Sequence, residues 1–211
     1  MAGAARKKTE KKFSYADYLK WNSDERWELI EGQTYSMSPA PLPIHQELLV
    51  ELVTELNLYF RNKRCEVYPA PFDVRMARLG TRSEDIFTVV QPDISIVCDK
   101  DKIDDKGCIG APDLIIEILS PATASRDHIL KKAIYEKNGV REYWLVDPVH
   151  RIVSIYRYET KNKYGAALIF DDQAKVEIPM FEGLQIDLAR IFPPLPVVVC
   201  ENPPPPYNPG R

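Results

Sequence analysis

No stretch of the chain approaches about 18 consecutive apolar residues, which argues against a membrane-crossing helix. No secretory leader is visible at the start either, so a cytoplasmic protein is expected. Histidine is scarce, with three in 211 residues, and no H-E-x-x-H pattern occurs, which removes a histidine-rich zinc centre and the zincin class. A Walker A loop is also missing, so an ATPase reading has no support. Cys65, Cys98, Cys108 and Cys200 are scattered without a C-x-x-C pair and read as reduced thiols rather than a disulfide frame or a zinc site. Net charge is −3, so no global basic field exists to hold nucleic acid, although a local basic patch would not register in that sum.

What is present is ordinary for one globular domain with a sizeable core: 45% hydrophobic and 28% charged residues. Residues 1–12 read as a flexible basic tail, 13–192 as the domain and 193–211 as a proline-rich tail. Within the domain two short β-branched runs stand out, Gln91-Pro92-Asp93-Ile94-Ser95-Ile96-Val97 and Pro112-Asp113-Leu114-Ile115-Ile116-Glu117-Ile118-Leu119. Both begin at a proline and read as buried strands. Each carries an acid, Asp93 at the start of the first and Glu117 near the end of the second. A buried carboxylate is costly unless paired, hydrogen-bonded or bound to a cation. Two on neighbouring strands would make a hard-metal site for magnesium or manganese. The plainer alternatives stay open: Asp93 as a turn residue and Glu117 as an edge acid facing water.

Around this pair the pattern gives further elements. Ser14 with Asp17 suggests a capped short helix, and Trp27–Glu31, Gly32-Gln33 and Thr34–Ser38 a hairpin around a glycine turn with Glu31 at its bend. Ile44–Arg61 has apolar residues every three and four positions, which predicts a helix with His45 in its first turn as a hydrogen-bonder. Residues 65–74 and 86–90 read as strands, 75–85 as a loop or a loose hairpin, and 99–110 as a charged loop forming the rim or lid of a cleft. A helix is predicted over 126–138, capped by Ser125 and ended by Gly139, with Ile129, Leu130, Ala133 and Ile134 as its core face. Asp127, Lys131 and Tyr135 lie four apart on another face, either a surface ion pair or part of a site beside the Glu117 strand. Strands follow at 141–148, 151–158, 164–170 and 176–178, with a last short element to Phe192.

Several of these pieces occur in a recognisable order. Glu28-Leu29-Ile30-Glu31-Gly32, Gln91-Pro92-Asp93-Ile94-Ser95, Glu117-Ile118-Leu119-Ser120-Pro121, Asp127 with Lys131 and Tyr135, and Gly139–Pro148 together resemble the Uma2 family of restriction-endonuclease-like proteins. The resemblance implies a PD-(D/E)XK nuclease fold, an α/β mixed sheet flanked by helices with an antiparallel extension. It implies Asp93 and Glu117 as metal-binding acids, Glu31 as a further acid near the site, and Lys131 as the lysine that many relatives carry two positions after the second acid, where Leu119 stands here. Gln91 stands where a basic residue is often found. The implied activity is Mg²⁺- or Mn²⁺-dependent cleavage of nucleic acid, with DNA the expected partner. A homodimer is expected too, on the need for two strand cuts and on Tyr143, Trp144, Tyr156 and Tyr158. Two rivals remain: an inactive binding member of the same fold, for nucleic acid or protein, and a phosphodiesterase acting on a small substrate.

Overall fold

The computed structural model describes residues 11–21, 25–37, 41–159 and 163–195. Residues 1–10 and 196–211, which hold most of the expected basic and proline-rich tails, lie outside them. The chain runs through helix α1 (Tyr15–Tyr18), strands β1 (Trp27–Ile30) and β2 (Gln33–Ser36), and the long helix α2 (Pro43–Phe60). Next come β3 (Glu66–Pro69), β4 (Val74–Arg75), β5 (Val89–Val90) and β6 (Ile94–Val97). The hairpin β7 (Ile103–Asp104) and β8 (Gly107–Ile109) precedes β9 (Leu114–Ile118). Helix α3 (Ala124–Arg126) then passes through a wide π-turn at Asp127–Lys131 into α4 (Lys132–Asn138). The chain finishes with β10 (Glu142–Asp147), β11 (Ile152–Glu159), β12 (Lys163–Tyr164), β13 (Leu168–Asp171), β14 (Lys175–Glu177), β15 (Gln185–Asp187) and α5 (Leu188–Ile191).

The central sheet is mixed, in the order β12-β11-β10-β9-β6-β3, with β13 also paired to β11. Only β9 and β10 run parallel in it. The connection between them is the α3–α4 helix, as a parallel pair requires. Successive side chains of β9 point to opposite faces. Leu114, Ile116 and Ile118 pack with Leu48, Leu52, Leu56 and Phe60 of α2, while Ile115 and Leu119 pack with Ile134 and Tyr135 of α4. Glu117 shares the parity of Ile115 and Leu119, so the alternation aims it at the crossover helix. A second sheet, β2-β1-β5-β4-β8-β7, brings Ile30, Val74, Val90 and Cys108 into the core on that same face. It was not expected from the sequence, because β4 and β5 are only two residues long.

The hairpin at Glu31-Gly32 is present, with both residues at positive φ (51° and 87°), the backbone a tight two-residue turn needs. The Ser14–Asp17 capping box and the left-handed Gly139 terminator also form as expected. Four expectations are corrected. Residues 99–110 are not a loose rim but a 3₁₀ turn and the β7–β8 hairpin, inside the second sheet. Cys65 and Cys98 are not free thiols: they form a disulfide, because the antiparallel β3–β6 register that pairs Glu66 with Val97 sets them directly opposite. Thr123, not Ser125, is the N-cap residue of the crossover helix. That helix is also turned relative to the reading of its apolar face: Asp127, Lys131, Ile134 and Tyr135 are buried, while Ile129 and Leu130 are exposed.

The second sheet depends on one close approach. Gly107 has φ of 110°, and a Cβ there would stand 2.3 Å from the Asp73 carbonyl oxygen. Gly107→Ala is therefore expected to lower stability by about 1–3 kcal/mol, read as a shifted urea midpoint at unchanged slope. An unshifted midpoint would mean that β4 and β8 separate at no cost.

Candidate active site

Extending the antiparallel register Ile94↔Ile116 by one residue sets Asp93 opposite Glu117, on the face toward the crossover helix. Asp93 Oδ2 accepts a hydrogen bond from the Ile118 backbone N–H at 2.7 Å, which locks the two strand ends together. His45, from the first turn of α2, places Nε2 3.2 Å from the same oxygen. Glu117 Oε1 accepts from Lys131 Nζ at 2.9 Å and from the Tyr135 hydroxyl at 2.7 Å. Lys131 also stands 2.8 Å from Glu28 Oε1 and 3.6 Å from Asp127 Oδ1. The π-turn contributes here, since it begins at Asp127 and ends at Lys131 and both side chains face inward. Glu28 Oε1 further accepts the Gln91 backbone N–H at 3.1 Å, and Arg126 lies 3.4 Å from Oε2. Gln91 spends its side chain on Arg26 and Asp73.

Charge in this cluster is unbalanced. Burial pushes the Glu117 carboxyl well above its ordinary value; Lys131 opposes the shift, while Asp127, Asp93 and Glu28 add to it. Asp127 is raised for the same first reason, with Lys131 and Thr123 pulling against burial. For Lys131 burial acts downward, but Glu117, Glu28 and Asp127 outweigh it and hold the ammonium above the ordinary lysine value. Burial alone would lower the His45 imidazole, yet its bond and attraction to Asp93 reverse that, and the net shift is upward. All of these shifts favour the protonated form of the group concerned.

The cluster forms the floor of a cavity of about 560 Å³. Among the described residues no three or more His, Cys, Asp or Glu side chains form a ready metal cage. A hard divalent ion needs less than that, since magnesium is commonly held by one or two carboxylates together with water and substrate phosphate. Hydrogen bonds among the described residues fall on one oxygen each of Asp93 and Glu117, and both residues line the cavity. The donor set and the surplus of negative charge therefore fit such an ion.

The family comparison matches residues 15–189 to Uma2, whose description is "Putative restriction endonuclease". The chain belongs to the Uma2 family. Among solved structures, this Uma2 chain resembles a "putative nuclease belonging to DUF820" from Anabaena variabilis ATCC 29413, with TM-score 0.67 and 24% identity over 85% of this chain and 97% of the other. At that identity the likeness shows the nuclease-type fold alone. A Synechocystis sp. protein, "Uncharacterized protein slr1290", is 29% identical over 166 residues, 77% of this chain and 82% of its own length.

Of the residues singled out in the Uma2 sequence, Asp93, Glu117 and Lys131 come together, as do Asp127 and Tyr135. Glu31 does not. It lies on the hairpin turn with its side chain 66% exposed, paired with Lys137 at 3.3 Å, because a tight turn projects its side chains outward. The hairpin acid that reaches the site is Glu28, three residues earlier and 1% exposed. Its signal was legible: it is an acid between Trp27 and Leu29-Ile30, the same isolation in an apolar run that marked Glu117. His45 also arrives at the site, which its place at a helix start did not foretell.

Proposed function

We propose that this Uma2 chain is a Mg²⁺- or Mn²⁺-dependent nuclease that hydrolyses phosphodiester bonds of nucleic acid, with DNA as the expected substrate. The observation that carries the reading is Asp93 directly opposite Glu117 at the floor of a cavity, with Lys131 bonded to Glu117. Asp93 and Glu117 would hold the ion. The chemistry such an ion supplies is charge neutralisation at the phosphate and a more acidic attacking water. Lys131, held protonated, donates toward the phosphate oxygens or orients the water. Glu28 and Asp127 keep that ammonium charged and fixed, and His45 holds the Asp93 carboxylate in orientation.

Cutting both strands of DNA takes two sites, each receiving one strand, so a homodimer is part of the proposal. Tyr143 and Trp144 do not support it, because both are fully buried, whereas Ile129 and Leu130 on the outer side of the crossover helix are exposed. Light scattering at micromolar concentration should show a dimer; a monomer alone would end this part. A cytoplasmic setting is proposed from the nucleic-acid substrate. The Cys65–Cys98 bond does not favour it, since disulfides are uncommon there. No helix of the described residues is long and apolar enough to cross a membrane.

The direct test is calorimetric Mn²⁺ titration. Wild type should bind weakly, and Asp93→Asn and Glu117→Gln should lose binding while staying folded. Absence of binding by folded wild type, even with substrate added, would defeat the catalytic reading. One observation favours a second reading, a phosphodiesterase on a small substrate: Glu28, Glu117 and Asp127, which line the cavity, are buried. Hydrolysis of bis(p-nitrophenyl) phosphate without cleavage of any oligonucleotide would put that reading ahead.

A further inference from the structure

The shape and lining of the recess bear on which phosphodiester can reach its floor. Glu28, Glu117, Asp127 and Lys131 are buried, and Asp93 exposes 19% of its side chain, so a phosphate must descend into the cavity rather than rest across it. About 560 Å³ lies within the roughly 300–1,000 Å³ typical of small-ligand pockets, space on the scale of a nucleotide rather than of a double helix. In a duplex the phosphates ride on a stacked, paired core, and bringing one to the bottom of a recess means taking its nucleotide out of the stack.

The lining is divided by chemistry. Met37 just after β2, Leu42 at the N-cap of α2 and Leu49 within it, and Ile118 and Pro121 at and beyond the end of β9 give it apolar surface. Leu42 is 61% exposed at the point where α2 begins. Two guanidinium groups line the same cavity. Arg26 is fixed by two bonds to Gln91 Oε1, at 2.9 and 2.6 Å, and Arg126 lies 5.0 Å from the Tyr35 ring centroid and 3.4 Å from Glu28. An intact duplex offers phosphates and polar groove edges, which leave the apolar surface nothing to cover. An unstacked base offers a flat apolar face, and its neighbouring phosphates offer charge for the two arginines.

We infer that the recess takes an unpaired nucleotide, one strand's phosphodiester with its base unstacked against Met37, Leu42 and Leu49, rather than the backbone of an intact duplex. This rests on the nuclease reading and narrows its substrate to single-stranded or locally unpaired nucleic acid.

The test uses the full chain with Mn²⁺ and end-labelled DNA in four forms: single strand, blunt duplex of the same sequence, that duplex with one bulged nucleotide, and a dinucleotide. The single strand should be cut at least about tenfold faster than the blunt duplex, since unstacking costs the duplex a few kcal/mol, and the bulge should restore cutting beside it. Leu42→Glu puts a carboxylate where the base would lie and should slow single-strand cleavage by about tenfold or more. Leu58→Glu, at another exposed leucine of the same helix outside the cavity lining, is the control and should match wild type. Equal or faster cutting of the blunt duplex, or a Leu42→Glu variant indistinguishable from Leu58→Glu, overturns the inference and leaves the nuclease reading standing. Faster cleavage of the dinucleotide than of any longer strand overturns it in favour of a small substrate. No cleavage of any form and no Mn²⁺ binding would remove the nuclease reading, and this inference with it.

Discussion

Lys131→Met should destabilise the folded chain by about 3–5 kcal/mol near neutral pH, the usual cost of leaving buried charges without their partner. The ammonium lies within 3.6 Å of three carboxylates, Glu28, Glu117 and Asp127, all buried. The loss should depend on pH with a definite sign. Glu117 and Asp127 already have folded values above their ordinary ones, so between the two values the folded chain binds more protons than the unfolded chain, and stability falls as pH rises. Lys131 holds both shifts down, and its removal widens that window. Urea midpoints should therefore show a small deficit in weak acid, where the carboxyls take up protons, and the full deficit near pH 8. An equal deficit at both would assign the loss to packing. In wild type the lysine also gives an alkaline limb. Its contribution is complete below the ordinary lysine value and is lost only as pH rises through the higher folded one. The proposed role of Lys131 at the phosphate or the water predicts a slower chemical step as well; its three carboxylate partners add a role in charge balance.

For catalysis the largest effect is expected at the opposed acids. Asp93→Asn and Glu117→Gln should each lower single-turnover cleavage by about 10³-fold or more, since several kcal/mol of charge stabilisation depend on the ion they hold. The fold should survive both changes. An asparagine oxygen at 93 can still accept from Ile118 N–H, and a glutamine oxygen at 117 from Lys131 and Tyr135. Glu117→Gln removes one buried negative charge from a cluster that holds a surplus, so its metal-free melting temperature should equal or exceed that of wild type. A variant that folds and cuts within tenfold of wild type would show that its carboxylate holds no essential ion.

Sequence alone determined the elements whose local signals and packing agree. The α2 helix was legible because Leu48, Leu52, Leu56 and Phe60 recur every four residues and all are buried. The hairpin bend at Gly32 and the Gly139 stop were legible because positive φ favours glycine. Asp93 and Glu117 stood out as acids inside short apolar strands, and spacing by four linked Asp127, Lys131 and Tyr135. Tertiary structure decided the rest. Periodicity gives the faces of a helix but not which one turns inward, and here the charged stripe is buried because Glu117 and Glu28 await it while Ile129 and Leu130 face out. Which hairpin acid serves the site, Glu28 rather than Glu31, follows from strand pairing over a long sequence separation, as do the second sheet and the Cys65–Cys98 bond. Those contacts are non-local, and no local propensity encodes them.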